Sequence, residues 1–465
     1  MGDISIPKNP TGTSNRGEGI IPIQELEKLI APAIPSPTPR APTEKAPQRE
    51  FDHNRLYEAA IPAELKDPNR VVGIPIAPQN ATTFGCLTLP ELAELKRRDR
   101  DRIFHPSEAE YVRYGTPITR RVESRLAKLD GGEMALVFPS GMAAIEKVID
   151  SLIPNTPLQK AHFIVGIEGY RQTRNILDRF VSRGWIELTA IPMDHFDRVH
   201  QYLKPNTAAV FFETPSNPFL RVIDVAKVKK QIVEAKSNAL VVVDHTFASP
   251  ANQKPLEQGA DLVVPSLTKY VSGNNQVLAG AVVGSEKLLL PILTLRGQSA
   301  IARDDECLRL EEGMATLEER IDVSNRNGAL VANLLASNPN VLKMWYPGHP
   351  SHPDHQTALE QMKGFGGVVT FRLRARDYFD IEAFVDAAMA ALPKGTFIGP
   401  SFGGEFPIIS AVALVSHFPQ TPAEMRAQGI TFDLIRLYTG TIDPQILTGA
   451  LDAGFKALER RRGIV

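Results

Sequence analysis

Val241-Val242-Val243-Asp244 and Pro265-Ser266-Leu267-Thr268-Lys269-Tyr270 decide the fold. The first is a β-branched run, suited to a pleated buried surface, that ends in an acid. A further apolar run, Leu262-Val263-Val264, stops just before the second stretch. Short continuous apolar runs bounded by polar residues describe strands buried on both faces. Two such strands deliver Asp244 and Lys269, 25 positions apart, to one edge of a sheet. A lysine that carries an aldehyde cofactor as a Schiff base, with an acid on the cofactor's pyridinium nitrogen, needs that arrangement. Ser266 and Thr268 add hydroxyls that suit a phosphate. Read alone, the stretch also describes a surface lysine after a strand.

Outward from this stretch the pattern alternates helix and strand. Ile118, Val122, Leu126 and Leu129 fall on one helical face that Gly131-Gly132 ends. Ala135-Leu136-Val137-Phe138, Phe163-Ile164-Val165, Ala209-Val210-Phe211-Phe212 and Leu240-Val241-Val242-Val243 read as buried strands. Helical stretches separate them, as in an α/β, mostly parallel sheet with helices on both faces. Ligands in such sheets sit beyond the carboxyl ends of the strands. Ser140, Glu213, Asp244 and Lys269 each lie at or just past a strand end. Beyond about residue 310 a long helical stretch covers Glu311 to Leu335, and Gly366 to Arg372 reads as an edge or antiparallel strand. A smaller C-terminal α+β domain occupies this part. The expected division is 1–52, 53–310 and 311–465.

Composition narrows the function classes. The chain has 465 residues, 43% hydrophobic, with a formal net charge of −1. That balance argues against nucleic acid or an anionic membrane surface as partner. Two cysteines, Cys86 and Cys307, suggest neither a disulfide framework nor a metal cluster, so no metal is expected and the cytoplasm is the expected compartment. No apolar run approaches the roughly 18 residues of a membrane span. Residues 1–52 carry prolines at 7, 10, 22, 32, 35, 37, 39, 42 and 47, which forbid a long helix or central strand. The segment reads as mostly disordered or extended, with one helical island at 21–30.

Several segments suit a cofactor phosphate and ring. Ser140-Gly141-Met142 opens a helix whose amides and dipole favour an anion, though the same residues also make an ordinary cap. Tyr170, past a strand, suits stacking on a flat ring. Glu213-Thr214-Pro215-Ser216-Asn217-Pro218 is a stiff loop whose Asn217 suits a phenolate oxygen. Taken together and in this order, these residues resemble the pyridoxal-phosphate enzymes of cysteine and methionine metabolism, from about Ile74 to the C-terminus. Tyr111 to Pro117 resembles the family segment that crosses a dimer to the neighbour's phosphate, and Phe138 to Ala144 resembles its phosphate loop. Asp244 to Pro250 and Ser266 to Tyr270 resemble its cofactor motifs. Gly313 to Arg320, Tyr346 to Pro353, Ser401 to Gly404 and Ile435 to Leu437 continue the match.

The resemblance implies pyridoxal-phosphate fold-type I, aspartate-aminotransferase-like, with pyridoxal 5'-phosphate as cofactor and an amino acid as substrate. It implies Lys269 as Schiff-base lysine and proton shuttle, Asp244 on the pyridinium nitrogen, and Tyr170 as a catalytic and stacking residue. Asn217 would contact the ring's 3′ oxygen. Ser140, Gly141, Met142, Ser266 and Thr268 would hold the phosphate, completed by Tyr111 and Arg113 of a second subunit in a dimer of dimers. Arg436 and Ser401 would bind the substrate carboxylate. Departures fall in the substrate half. Gln79 stands where the family usually has tyrosine, and Phe406 where it has glutamate, with Glu405 one place early. Thr116 and His245 stand in two asparagine places, and Tyr438-Thr439-Gly440 replaces Ser-Val-Gly. The expected reaction is γ-elimination or γ-replacement on a sulfur amino acid or activated homoserine. The alternatives are β-elimination of the cystathionine β-lyase type, then an aminotransferase or a non-catalytic homologue. Gln79 and Phe406 leave fewer ionisable groups for a distal ammonium, which implies a preference for an uncharged distal end.

Overall fold

Five of the apolar runs become strands of one seven-stranded sheet: β1 (Met134–Phe138), β2 (Ala161–Gly166), β3 (Ile186–Ile191), β4 (Thr207–Glu213), β5 (Leu240–Asp244), β6 (Leu262–Val263) and β7 (Gly280–Gly284). The sequence did not single out β3 and β7, which complete the seven. The structure is a computed structural model that describes residues 89–90, 111–156, 159–299, 301–415 and 420–464. Residues 1–52, the island at 21–30, Gln79 and Cys86 lie outside the described residues. The strand order is β1-β7-β6-β5-β4-β2-β3. The pairs β2–β3, β2–β4, β4–β5 and β5–β6 are parallel, whereas β7 runs antiparallel to both its neighbours.

Side chains of β4 and β5 alternate between two apolar layers, as the two-residue period of a strand requires. Val210, Phe212, Val241 and Val243 enter one layer, and Ala209, Phe211 and Val242 the other. Burying a Val or Phe in such a layer contributes about 1.5–3 kcal/mol each. Helices α1 (Pro117–Asp130), α2 (Gly141–Ser151), α3 (Arg171–Ser182) and α4 (Val225–Glu234) supply the cover. In α1 the expected face holds: Ile118, Val122 and Leu126 are buried and Leu129 packs beside them. Thr116 caps its N-terminus and Gly131 ends it in the left-handed conformation.

The stretch Glu311 to Leu335 is two helices rather than one. α5 (Asp304–Ala315) and α6 (Leu317–Ser337) part at Thr316, whose φ of −111° and ψ of 8° leave the helix. Arg320 explains the break. Its guanidinium donates to the carbonyls of Gly313 (2.6 Å) and Tyr270 (2.7 Å), and its Nε to Thr316 Oγ1 (3.0 Å). The freed carbonyl is thus satisfied, and the bend is tied to the segment behind Lys269. Residue 310 falls inside α5, whose Cys307, Leu310 and Met314 pack under the first sheet.

A second sheet of five strands follows: β8 (Val341–Trp345), β9 (Val368–Leu373), β10 (Phe397–Ile398), β11 (Ile408–Ala411) and β12 (Leu434–Tyr438), in the order β10-β11-β12-β9-β8. β9 is antiparallel, as expected, but it lies between β12 and β8 and is no edge strand. α7 (Tyr378–Ala391) and α8 (Pro444–Arg462) join one core with this sheet through Phe384, Phe455 and Phe371. No described helix is long and apolar enough to cross a membrane.

Candidate active site

The carboxyl end of β5 carries Asp244, which is 8% exposed. Its Oδ1 accepts from Thr246 N (3.0 Å) and Thr246 Oγ1 (2.5 Å). Thr246 Oγ1 in turn accepts from Ser266 N (2.8 Å), so one threonine ties the acid to the loop that leads to Lys269. Burial pushes the Asp244 carboxyl above its ordinary range, while the two Thr246 bonds pull it down. Thr246 was not singled out by the sequence; an Asp-x-Thr turn is too common to signal it.

Lys269 sits six residues beyond β6. Its Nζ donates to Ser401 Oγ at 2.9 Å and lies 5.4 Å from the centre of the Phe402 ring. Burial, helped by the Arg436 charge, lowers its ammonium to about 8. The Ser401–Gly404 segment reaches Lys269 because Gly403 adopts φ +95°, where a Cβ would stand 2.5 Å from the Lys269 carbonyl carbon. Only glycine accepts both that conformation and that approach.

Arg436, in the middle of β12, is 4% exposed. Its guanidinium donates to Asn217 Oδ1 and to Pro400 O, both at 2.8 Å. Burial lowers it to about 10, so it stays charged at neutral pH. Asn217 therefore touches Arg436 as well as facing the strand ends. Tyr170 is the N-cap residue just before α3 and is 48% exposed. Its backbone N–H donates to Glu213 Oε1. Burial, then the neighbouring Asp244, pushes the Glu213 carboxyl up to about 8. Glu168 accepts from Ser216 Oγ at 2.9 Å and is pushed up to about 7, mainly by burial. Glu168, Tyr170, Arg171 and Glu213 line a cavity of about 580 Å³ beside these strand ends. Neither carboxyl had an assigned role from sequence, because only the fold shows that they are buried together beside these strand ends.

At the first strand end Ser140 Oγ caps α2 by accepting from Ala143 N (3.1 Å). Gly141 and Met142 form the first turn of that helix. A Cβ on Gly280 would stand 2.4 Å from Gly141 Cα, so β7 presses directly on the loop, and a Cβ on Gly141 would stand 3.1 Å from Ser266 Cβ. Ser266 thus adjoins the α2 N-terminus. Thr268 differs from expectation: its hydroxyl donates to Ala279 O (3.1 Å) and accepts from Ala279 N (3.0 Å), so it closes the loop locally. Arg113 Nε donates to Gly297 O (3.0 Å), with its guanidinium 4.5 Å from the Tyr111 ring centre.

Two of the altered positions serve structure within this chain. Thr116 Oγ1 donates to Asp304 Oδ1 (2.7 Å) and accepts from Thr119 N. Phe406 covers Gly395, where a Cβ would stand 2.9 Å from its ring.

A family model described as "Cys/Met metabolism PLP-dependent enzyme" matches residues 81–456. The chain belongs to this family. It is 37% identical over 339 residues to "Cystathionine gamma-synthase 1, chloroplastic" of Arabidopsis thaliana. That match covers 72% of this chain but 58% of the plant protein, so the chain spans little more than half of that relative's length. It is 32% identical over 351 residues to "L-methionine gamma-lyase" of Fusobacterium nucleatum subsp. polymorphum, covering 75% of this chain and 86% of that one. A crystal structure of cystathionine gamma synthase from Xanthomonas oryzae pv. oryzae, in complex with cystathionine, superposes with a TM-score of 0.73 at 28% identity. It covers 82% of this chain and 92% of that one.

Cys/Met metabolism PLP-dependent enzymes take pyridoxal phosphate, and the side chains at these strand ends fit it. Asp244 is a buried carboxylate with no salt-bridge partner among the described residues, and a protonated ring nitrogen would supply one. Lys269 is a largely buried amine whose ammonium is lowered to about 8. The α2 N-terminus beside Ser266 offers backbone donors to an anion.

Proposed function

We propose that the protein catalyses γ-elimination or γ-replacement on a sulfur amino acid or an activated homoserine, with its cofactor held by Lys269. The meeting of three distant segments carries this reading. Lys269 Nζ bonds Ser401, the residue before Ser401 bonds Arg436, and Arg436 bonds Asn217. A proton-transfer amine therefore stands next to a carboxylate-binding fork.

Bound pyridoxal phosphate supplies the electron sink for breaking bonds at the substrate's α-carbon. Asp244 would hold the ring nitrogen through Oδ2, since Oδ1 is taken up by Thr246. Asn217 would meet the ring's 3′ oxygen and Tyr170 would cover its face. Ser140, Gly141, Met142 and Ser266 would hold the phosphate, with Thr268 as support. Tyr111 and Arg113 would reach the phosphate of a neighbouring subunit, which makes the assembly a dimer or a dimer of dimers. Arg436 fixes the substrate α-carboxylate through its remaining N–H donors, and Ser401 orients Lys269 Nζ toward the α-proton. An amine near 8 is partly neutral at physiological pH, as a general base must be. Phe402 shields Nζ from water. Residues 53–310 form the cofactor-binding part of this reading and residues 311–465 the substrate-clamping part. Scarce cysteine usage supports a cytoplasmic site.

A panel of substrates tests the reaction class. Release of 2-oxobutyrate from methionine, homocysteine or an O-acylhomoserine, in excess over pyruvate from cystathionine, is the expected result. Thiol-dependent loss of 2-oxobutyrate would mark replacement. Pyruvate as the dominant product would establish β-elimination instead. Gln79 and Phe406 are the positions we assign to distal-end selection, so Phe406→Glu should raise relative activity on cystathionine.

The amine at Lys269 gives a pH prediction that needs no substrate. Capture of pyridoxal phosphate by the cofactor-free protein requires the neutral amine. Its rate constant should rise about tenfold per pH unit below about pH 7.5 and level off above about 8. A rate that keeps climbing to about pH 10 would show an ordinary exposed lysine.

A further inference from the structure

His245 follows Asp244 directly, in a place where the family resemblance leads one to expect asparagine. Its side chain is 0% exposed, and so is Asp130, the last residue of α1. His245 Nε2 lies 2.7 Å from Asp130 Oδ1, across 115 residues of sequence. Among the described residues, His245 Nδ1 and Asp130 Oδ2 have no hydrogen-bond partner. His245 Nε2 is thus placed to donate to the Asp130 carboxylate, and a buried carboxylate is costly without such a partner.

The position of this pair gives it a task. The His245 carbonyl accepts from Ala248 N (3.0 Å) and Ser249 N (2.9 Å), so His245 is the pivot of the turn that leaves β5. On one side of the pivot Asp244 is held through Thr246 to Ser266. On the other, α1 runs back without interruption to Thr116 and the Tyr111–Gly115 segment. The titratable groups around the pair are Asp130 from α1, Asp244 beside it, and Glu213, which pairs with Asp244 in the β4–β5 register.

We propose that His245 and Asp130 form a buried positioning pair for Asp244, clamping the turn after the carboxylate and placing a cation beside it, so that Asp244 stays ionised and keeps the cofactor's ring nitrogen protonated. This rests on the assignment of Asp244 to that nitrogen. The charge on His245 opposes the upward push that burial gives Asp244. An asparagine could serve the turn but not the charge.

The test uses holoenzyme loaded with pyridoxal phosphate labelled with 15N in the ring, read by NMR across pH. In the wild type the ring nitrogen should stay protonated throughout the stable range. In His245→Asn and in Asp130→Asn its deprotonation midpoint should fall by about one pH unit or more, a tenfold weaker hold on the proton. The double variant should be no worse than either single change, because the two residues act as one unit. His245→Gln keeps a donor for Asp130 without the charge; it should fold like the wild type yet show the lowered midpoint. An unchanged midpoint in folded His245→Gln and Asp130→Asn would overturn the proposal and leave a purely structural pair. Asp244→Asn separates the two assignments. Loss of the protonated signal there, with no change in the pair variants, overturns the pair alone. An unchanged signal in Asp244→Asn overturns the assignment of Asp244 and the pair's role with it.

Discussion

Lys269→Ala is expected to lower turnover by at least about 10³-fold, because one change removes both the covalent hold on the cofactor and the general base. No other described amine is placed to replace it. Lys269 Nζ is the amine bonded to Ser401 and held next to Phe402, and burial keeps it near neutrality. The fold should survive the change. Lys269 is not fully buried, and its loss leaves only the Ser401 hydroxyl without a partner. The measurement has two parts. Turnover should vanish, and borohydride treatment of the loaded variant should no longer fix cofactor to the protein. A variant that still fixes cofactor and turns over substrate at the wild-type rate would remove Lys269 from the site.

Arg436→Lys is expected to lower kcat/KM by about 100-fold, mostly through a higher KM. The guanidinium holds Asn217 Oδ1 and Pro400 O at once, both at 2.8 Å, while facing the site. It also lies 5.8 Å from the centre of the Phe247 ring and 5.9 Å from that of Phe402. A lysine ammonium is a compact donor on a flexible stem and cannot satisfy two fixed acceptors and a carboxylate together. Either Asn217 or Pro400 is then left with a buried acceptor short of a donor, which adds to the lost substrate contact. Because Asn217 is also the residue assigned to the ring oxygen, the cofactor's visible absorbance should shift in the same variant. A KM within about twofold of the wild type would show that the α-carboxylate is bound elsewhere.

Five of the first sheet's seven strands were legible because apolar runs of three or four residues, bounded by polar ones, describe buried strands, whereas Ile186–Ile191 and Gly280–Gly284 carry polar or glycine residues that hide them. The same runs placed Asp244 and Lys269 at strand ends, and the order of strand, glycine loop and helix placed Gly141 at a helix N-terminus. Where the reading went astray, a periodic signal was competing with a contact that periodicity does not encode. The apolar period of 3.6 continues across Thr316, so Glu311 to Leu335 read as one helix. Arg320 breaks it by taking the carbonyls of Gly313 and Tyr270. The pattern of Val368 to Leu373 showed a strand but not its neighbours. Its place inside the second sheet depends on β12, which begins 61 residues after β9 ends.

By itself the sequence determined most element types of the first sheet, the residues at or just past its strand ends and, through their order, the family. Those depend on local pattern, which neighbours along the chain express. The tertiary structure alone decided which side chains meet. Lys269 finds Ser401 across 132 residues, Arg436 finds Asn217 across 219, and His245 finds Asp130 across 115. None of these pairs shares a helix face or a strand register, so no spacing rule points to them. They form because packing two sheets and their helices brings distant backbones together, and the burial that follows turns ordinary lysine, arginine and carboxyl groups into an amine near neutrality, a desolvated fork and acids that need a cation.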